Sequence, residues 1–122
     1  MKKVLIVDDS PTVRQQVAAA LVPAGFEVLD AQDGDEGLQQ LRAHPDLALI
    51  FCDVNMPVMS GLEMLDVAGK DPRPPLPPII MLTSEGRADL IARAKQGGAK
   101  GWLIKPVKPE QLVAVARKIT GG

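Results

Sequence analysis

Along this chain, short unbroken runs of apolar residues alternate with stretches whose apolar positions recur at helical spacing. The first run, Val4-Leu5-Ile6-Val7, is ended by Asp8-Asp9. Its continuous, β-branched character predicts a strand covered on both faces. Ser10 then suits a helix N-cap and Pro11 the first helical position. Val13, Val17, Ala20, Leu21 and Ala24 predict a helix to about Ala24, closed by Gly25 and distorted near its end by Pro23. Phe26 to Ala31 reads as a second strand, with Asp33-Gly34 marking the turn after it. Gly37, Leu38 and Leu41 place a more polar second helix, which Pro45 ends.

The third run, Leu47 to Cys52, leads directly onto Asp53. Met56 is biased toward extended backbone by Pro57, and Gly61 closes the loop. Leu62, Leu65 and Ala68 predict a short third helix ending near Gly69. Pro78 to Leu82 is the fourth strand. Thr83-Ser84 ends it, with Ser84 as the N-cap of a fourth helix marked by Leu90, Ile91 and Ala94 and closed by Gly97-Gly98. Gly101 to Ile104 is the fifth strand, running onto Lys105-Pro106. Pro109 opens a fifth helix with Leu112, Val115, Ala116 and Ile119 on one face.

Five strand–helix alternations imply βαβ units and a parallel sheet with helices on both faces. The expected fold class is therefore α/β: a (βα)5 doubly wound, parallel five-stranded sheet in the flavodoxin-like order 2-1-3-4-5. Ligand sites of such sheets lie at the carboxyl ends of the strands, at the switch point between strands 1 and 3. Asp8, Asp9 and Asp53 fall there.

Composition narrows the field. With 122 residues the chain reads as one domain over residues 1–122, and 46% hydrophobic residues argue against general disorder. A net charge of −1 argues against nucleic-acid binding through a basic face. No stretch approaches the roughly 20 apolar residues of a membrane helix. The run after Met1-Lys2-Lys3 is too short for a secretory signal, so a cytoplasmic location is expected. Cys52, the only cysteine, excludes an internal disulfide and reads as a small buried hydrophobe. His44, the only histidine, sits at the far end of strand 3 from Asp53 and reads as a surface residue, not a phosphoryl carrier. The proline-rich residues 71–78 read as a stiff connection.

Three carboxylates at one crevice raise at least one pKa unless a cation joins them. A hard divalent ion such as Mg²⁺ suits an all-oxygen site. Lys105, at the end of strand 5, is a point charge suited to phosphate or carboxylate, and Thr83 offers a hydroxyl on the same edge. Acid cluster, metal, lysine and hydroxyl are the parts of a phosphoryl-transfer site, with Asp53 as the nucleophile that forms an aspartyl phosphate. Neither a G-x-G-x-x-G nor a P-loop motif is present.

Four short motifs in order carry a resemblance: Val4-Leu5-Ile6-Val7-Asp8-Asp9-Ser10, Asp53-Val54-Asn55-Met56-Pro57-Val58-Met59-Ser60-Gly61, Met81-Leu82-Thr83-Ser84 and Lys105-Pro106. The sequence resembles the receiver domain of bacterial two-component response regulators, particularly the stand-alone chemotaxis type, over essentially the whole chain. That resemblance implies that Asp53 accepts a phosphoryl group from a sensor histidine kinase or histidine phosphotransferase. It implies Mg²⁺ or Mn²⁺ held by Asp9 directly, Asp8 through water, the Asp53 carboxylate and the Asn55 backbone carbonyl. Lys105 would contact the phosphoryl oxygens through a chain whose Lys105-Pro106 peptide is cis. Thr83 would be the switch hydroxyl, and Asn55 and Glu85 would tune the phosphoryl lifetime. A downstream effector protein would read the surface of the fourth helix, fifth strand and fifth helix, about residues 87–120, and the unphosphorylated chain would be a monomer.

Two positions depart from the family pattern. Trp102 stands where the switch aromatic is usually Tyr or Phe, and it reads either as a larger rotamer switch or as a core residue. Val107 follows Lys105-Pro106 where Phe is common. Alternatives to the switch are a phosphate sink or relay receiver without effector, a receiver cut from a longer regulator, and, in a different class, a small Mg-dependent aspartyl phosphatase. The last needs a second acid two residues after the nucleophile, where this chain has Asn55. A flavin binder is a further alternative, disfavoured by one Trp and no Tyr.

Overall fold

The continuous apolar runs become parallel strands because helices cover both of their faces. The computed structural model describes residues 2–54, 77–84, 88–96 and 98–121. Within them the elements run β1 (Lys2–Val7), α1 (Pro11–Leu21), β2 (Phe26–Ala31), α2 (Gly34–Ala43), β3 (Leu47–Asp53), β4 (Ile79–Thr83), α3 (Ala88–Gln96), β5 (Gly101–Ile104) and α4 (Pro109–Thr120). The third helix of the sequence reading, with Leu62, Leu65 and Ala68, lies outside the described residues. Elements α3 and α4 are therefore its fourth and fifth helices.

All strand pairs are parallel, and the sheet order is β2-β1-β3-β4-β5, as the alternation predicts. Successive residues alternate between two cores, as the period of a strand requires. Leu5, Val7, Ile50, Cys52, Ile79 and Met81 meet Leu38 and Leu41 of α2 and Ala94 of α3. On the opposite face Val4, Ile6, Leu49, Phe51, Ile80 and Leu82 meet Val17 and Leu21 of α1 and Leu112 and Ala116 of α4. Among the described residues no helix is long and apolar enough to cross a membrane.

Element boundaries differ from the sequence reading where local chemistry decides them. The first helix stops at Leu21 instead of Ala24. Pro23 has no N–H to continue it, and the chain instead makes tight turns, Ala24 N–H to Leu21 C=O and Gly25 N–H to Val22 C=O. Gly25 takes a φ of 96°, a left-handed conformation that favours glycine. Asp33 is more than a turn residue: its side chain accepts from Glu36 N–H at 2.9 Å and caps α2. The N-cap role read for Ser84 concerns residues 85–87, which lie outside the described set. Both β3 and β4 extend one residue further than their apolar runs, so that Asp53 and Thr83 are the last residues of their strands.

Candidate functional site

Strand register brings the polar strand ends together. Val7 pairs with Cys52, Asp53 with Leu82, and Thr83 with Ile104, so Asp8, Asp53, Thr83 and Lys105 emerge along one edge of the sheet. Backbone bonds carry the ladder past the strands: Asp8 N–H to Ala31 C=O, Val54 N–H to Leu82 C=O and Lys105 N–H to Thr83 C=O, the last at 2.7 Å. The site residues thus stand at the ends of hydrogen-bonded strands of the sheet.

Asp8 has no exposed surface, and a buried carboxylate needs partners. The Ser10 N–H donates to its Oδ1 at 2.9 Å, and the Lys105 ammonium donates to its Oδ2 at 2.7 Å. Ser10 also caps α1, its Oγ accepting from Val13 N–H. Lys105 Nζ lies 3.2 Å from Asp53 Oδ1 as well, so a single ammonium bridges the ends of β1 and β3. Asp9 is exposed. One carboxylate oxygen from each of Asp8, Asp9 and Asp53 lies within 4.8 Å of the others. This set of hard anionic oxygens, two of them from buried residues, fits a divalent cation of the Mg²⁺ type.

The charges perturb one another. Burial and the adjacent Asp8 charge push the Asp53 carboxyl above its usual range, while Lys105 pulls it back in part. For Lys105, burial favours the neutral amine, but the hydrogen bond to Asp8 and the charges of Asp53 and Asp8 outweigh it and raise the ammonium pKa. Cys52 is fully buried, and its thiol is pushed far up by desolvation, with the Asp53 charge adding to it. This agrees with its reading as a packing residue.

Of the remaining sequence candidates, Thr83 is almost wholly buried at the end of β4. The Lys105-Pro106 peptide is cis. Trp102 is half-buried on β5 and packs against the Ala94 and Ala99 side of the core, with Lys95 Nζ 4.9 Å from its ring centroid. Asn55 and Glu85 lie outside the described residues. His44 caps the carboxyl end of α2, away from the carboxyl ends of the strands.

Sequence reasoning missed Arg14. Its Nη1 donates to the Asp8 carbonyl at 2.7 Å and its Nε to Asp30 Oδ2 at 3.2 Å, which ties the ends of β1 and β2 together beneath the acidic pair. The available signal was that Arg14 is the only charged residue in α1.

A parallel sheet of this order, with an acidic crevice and a lysine at its carboxyl edge, defines a doubly wound α/β domain built around a strand-end aspartate. A family model for the response regulator receiver domain matches residues 4–117, and the chain belongs to that family. Chemotaxis protein CheY1 of Helicobacter pylori is 37% identical over 111 residues, 90% of each chain. The probable chemotaxis protein CheY of Rhizobium etli is 36% identical over 120 residues, 98% of this chain and 92% of that protein. The solved chemotaxis protein CheY4 of Vibrio cholerae superimposes with a TM-score of 0.91 at 40% identity over 98% of both chains. A chain of the CheX-CheY-BeF3-Mg+2 complex from Borrelia burgdorferi gives 0.86 at 27% identity over 97% of this chain and 88% of that one. The protein is a receiver domain similar to the stand-alone chemotaxis regulators.

Proposed function

We propose that the protein, a single receiver unit over residues 1–122, is a phospho-acceptor switch of a two-component system with Asp53 as its acceptor. The observation that carries this reading is the placement of the Asp53 carboxylate at a strand end, 3.2 Å from the Lys105 ammonium and clustered with Asp8 and Asp9. An Asp53 oxygen forms a bond to phosphorus as the bond to a donor histidine of a sensor kinase or phosphotransferase breaks. Lys105 then neutralises charge on the transferred group. Asp8, Asp9, Asp53 and the Asn55 carbonyl would hold Mg²⁺ or Mn²⁺, which supplies charge neutralisation at the phosphoryl oxygens. Thr83, at the end of the neighbouring strand, is the hydroxyl that senses the new group, and Asn55 and Glu85 set how long it survives hydrolysis.

The output is a changed α3–β5–α4 surface, with Trp102 on β5 as its aromatic reporter, read by an effector protein in the cytoplasm. The only catalysis this reading requires is self-phosphorylation from a phosphodonor and autodephosphorylation. Incubation with a labelled histidine-phosphorylated donor and Mg²⁺ tests it. Label is expected on the wild-type chain and absent from Asp53→Ala. Equal labelling of that variant overturns the assignment of Asp53, and steady turnover of small phosphoesters would favour a phosphatase instead.

A further inference from the structure

Lys95 lies in the last turn of α3, where a cation is favoured by the partial negative charge of the helix end. Its ammonium sits over the face of Trp102, 4.9 Å from the ring centroid, well within the range of a cation–π contact. Trp102 pairs with Met81 and Ile104 pairs with Thr83 across β4 and β5. Residues two apart on a strand share a face, so the indole stands on the same sheet face as Thr83, one step back along the strand. The residue is only half-buried: it packs against the core, and the Lys95 ammonium lies over its ring.

We propose that Lys95 is a positioning residue that holds the Trp102 indole in its half-exposed orientation in the resting protein. This rests on the reading of Trp102 as the aromatic that responds to the phosphoryl group. A ring that turns inward along the sheet toward Thr83 leaves the ammonium behind. The contact therefore belongs to one of two states, and a contact with such a difference biases the equilibrium between them. Lys95 holds the switch back until the chemistry at Asp53 offsets the lost contact. A Tyr or Phe in place of Trp102 would give the cation a weaker surface, so the larger ring and the lysine act as a pair.

The protein carries one Trp and no Tyr, so its intrinsic fluorescence reports Trp102 alone. Emission maximum and acrylamide quenching are measured for wild type, Lys95→Met and Lys95→Arg, with and without Mg²⁺ plus beryllofluoride. Lys95→Met keeps an apolar stem and removes the charge, while Lys95→Arg keeps a cation. The expected result is a resting Trp102 signal in Lys95→Met shifted toward that of the beryllofluoride-bound wild type. Beryllofluoride should also bind about two- to fivefold tighter to this variant, the worth of one exposed cation–π contact, and Lys95→Arg should behave as wild type. Identical resting emission and quenching in Lys95→Met and wild type overturns the proposal, as does unchanged beryllofluoride affinity. If wild-type Trp102 does not respond to beryllofluoride although the mimic binds, the switch reading of Trp102 falls, and the resting comparison still decides whether Lys95 positions the ring.

Discussion

Lys105 and Asp8 form an ion pair at 2.7 Å between a carboxylate with no exposed surface and an ammonium that comes from the far end of the chain. The pair joins the first strand to the last loop of the sheet. A buried charge that loses its partner keeps its desolvation cost without the compensating attraction. Lys105→Met should therefore lower the unfolding free energy by about 3 kcal/mol, measured as a lower urea midpoint at neutral pH. Saturating Mg²⁺ should restore part of the loss, because a cation that binds only the folded state stabilises it by mass action. Wild-type stability in the variant without Mg²⁺ would refute the pairing.

Asp53 makes a prediction with the opposite sign. Its folded pKa is raised above the ordinary 3.8, first by burial and then by Asp8. The unfolded chain therefore ionises this group at lower pH than the folded one does. Its contribution to stability is most favourable below the unfolded pKa and is lost as pH rises through the raised folded value. Asp53→Asn should thus raise Tm at neutral pH, without Mg²⁺, by a few degrees. That advantage should shrink as the pH is lowered toward the ordinary carboxylate range. Thermal scans of both proteins across acid pH check the trend, and a variant that melts below wild type at neutral pH would contradict it.

Arg14 supports the acidic pair from below through the Asp8 carbonyl and Asp30. Groups that orient ligating residues without touching a metal are commonly worth one or two orders of magnitude in affinity. Arg14→Met should weaken Mg²⁺ binding about tenfold, followed by Trp102 fluorescence during titration. The pair with exposed Asp30 is worth little by itself, so Asp30→Asn should have a much smaller effect. Equal losses in the two variants would place the role of Arg14 in the salt bridge and not in the Asp8 backbone.

Val107 lines two apolar clefts between α1 and α4, of about 240 and 260 Å³, each shared with Gln16, Pro106 and Leu112. The first also runs along Lys105. Val107→Phe introduces the residue common at this position in the family and should fill part of this space. An increase of about 1 kcal/mol in unfolding free energy is expected, the usual yield of cavity filling, read from urea denaturation. A lower midpoint would mean that the clefts cannot accept the ring.

The placement of Asp8, Asp53 and Lys105 at one sheet edge was legible because it depends on strand order and strand ends, and both follow from a run of apolar residues stopped by a charge. Thr83 was placed by the same logic. Arg14 was not, since its function depends on how far a long side chain reaches from α1 back to the β1–β2 edge, and periodicity carries no information on reach. The early end of α1 was half legible: Pro23 was recognised as disruptive, but the tight turns that replace its last bonds depend on the backbone of Leu21 and Val22. Trp102 was recognised as unusual, yet the lysine over its face belongs to another element and could be found only in three dimensions.

The strand order carries a consequence for assembly. The inner strands β1 and β3, with β2, all come from residues before 54, whereas β4 and β5 are added outward in chain order. A chain emerging from its amino end can therefore gather Asp8, Asp9 and Asp53 at one edge while Lys105 is still unmade. Before Lys105 is made the three carboxylates lack the ammonium that pairs with Asp8 and Asp53, and docking of the last strand supplies it. The same lysine that pairs with Asp8 and Asp53 in the finished domain thus gives the carboxy-terminal third of the protein an electrostatic reason to close the sheet.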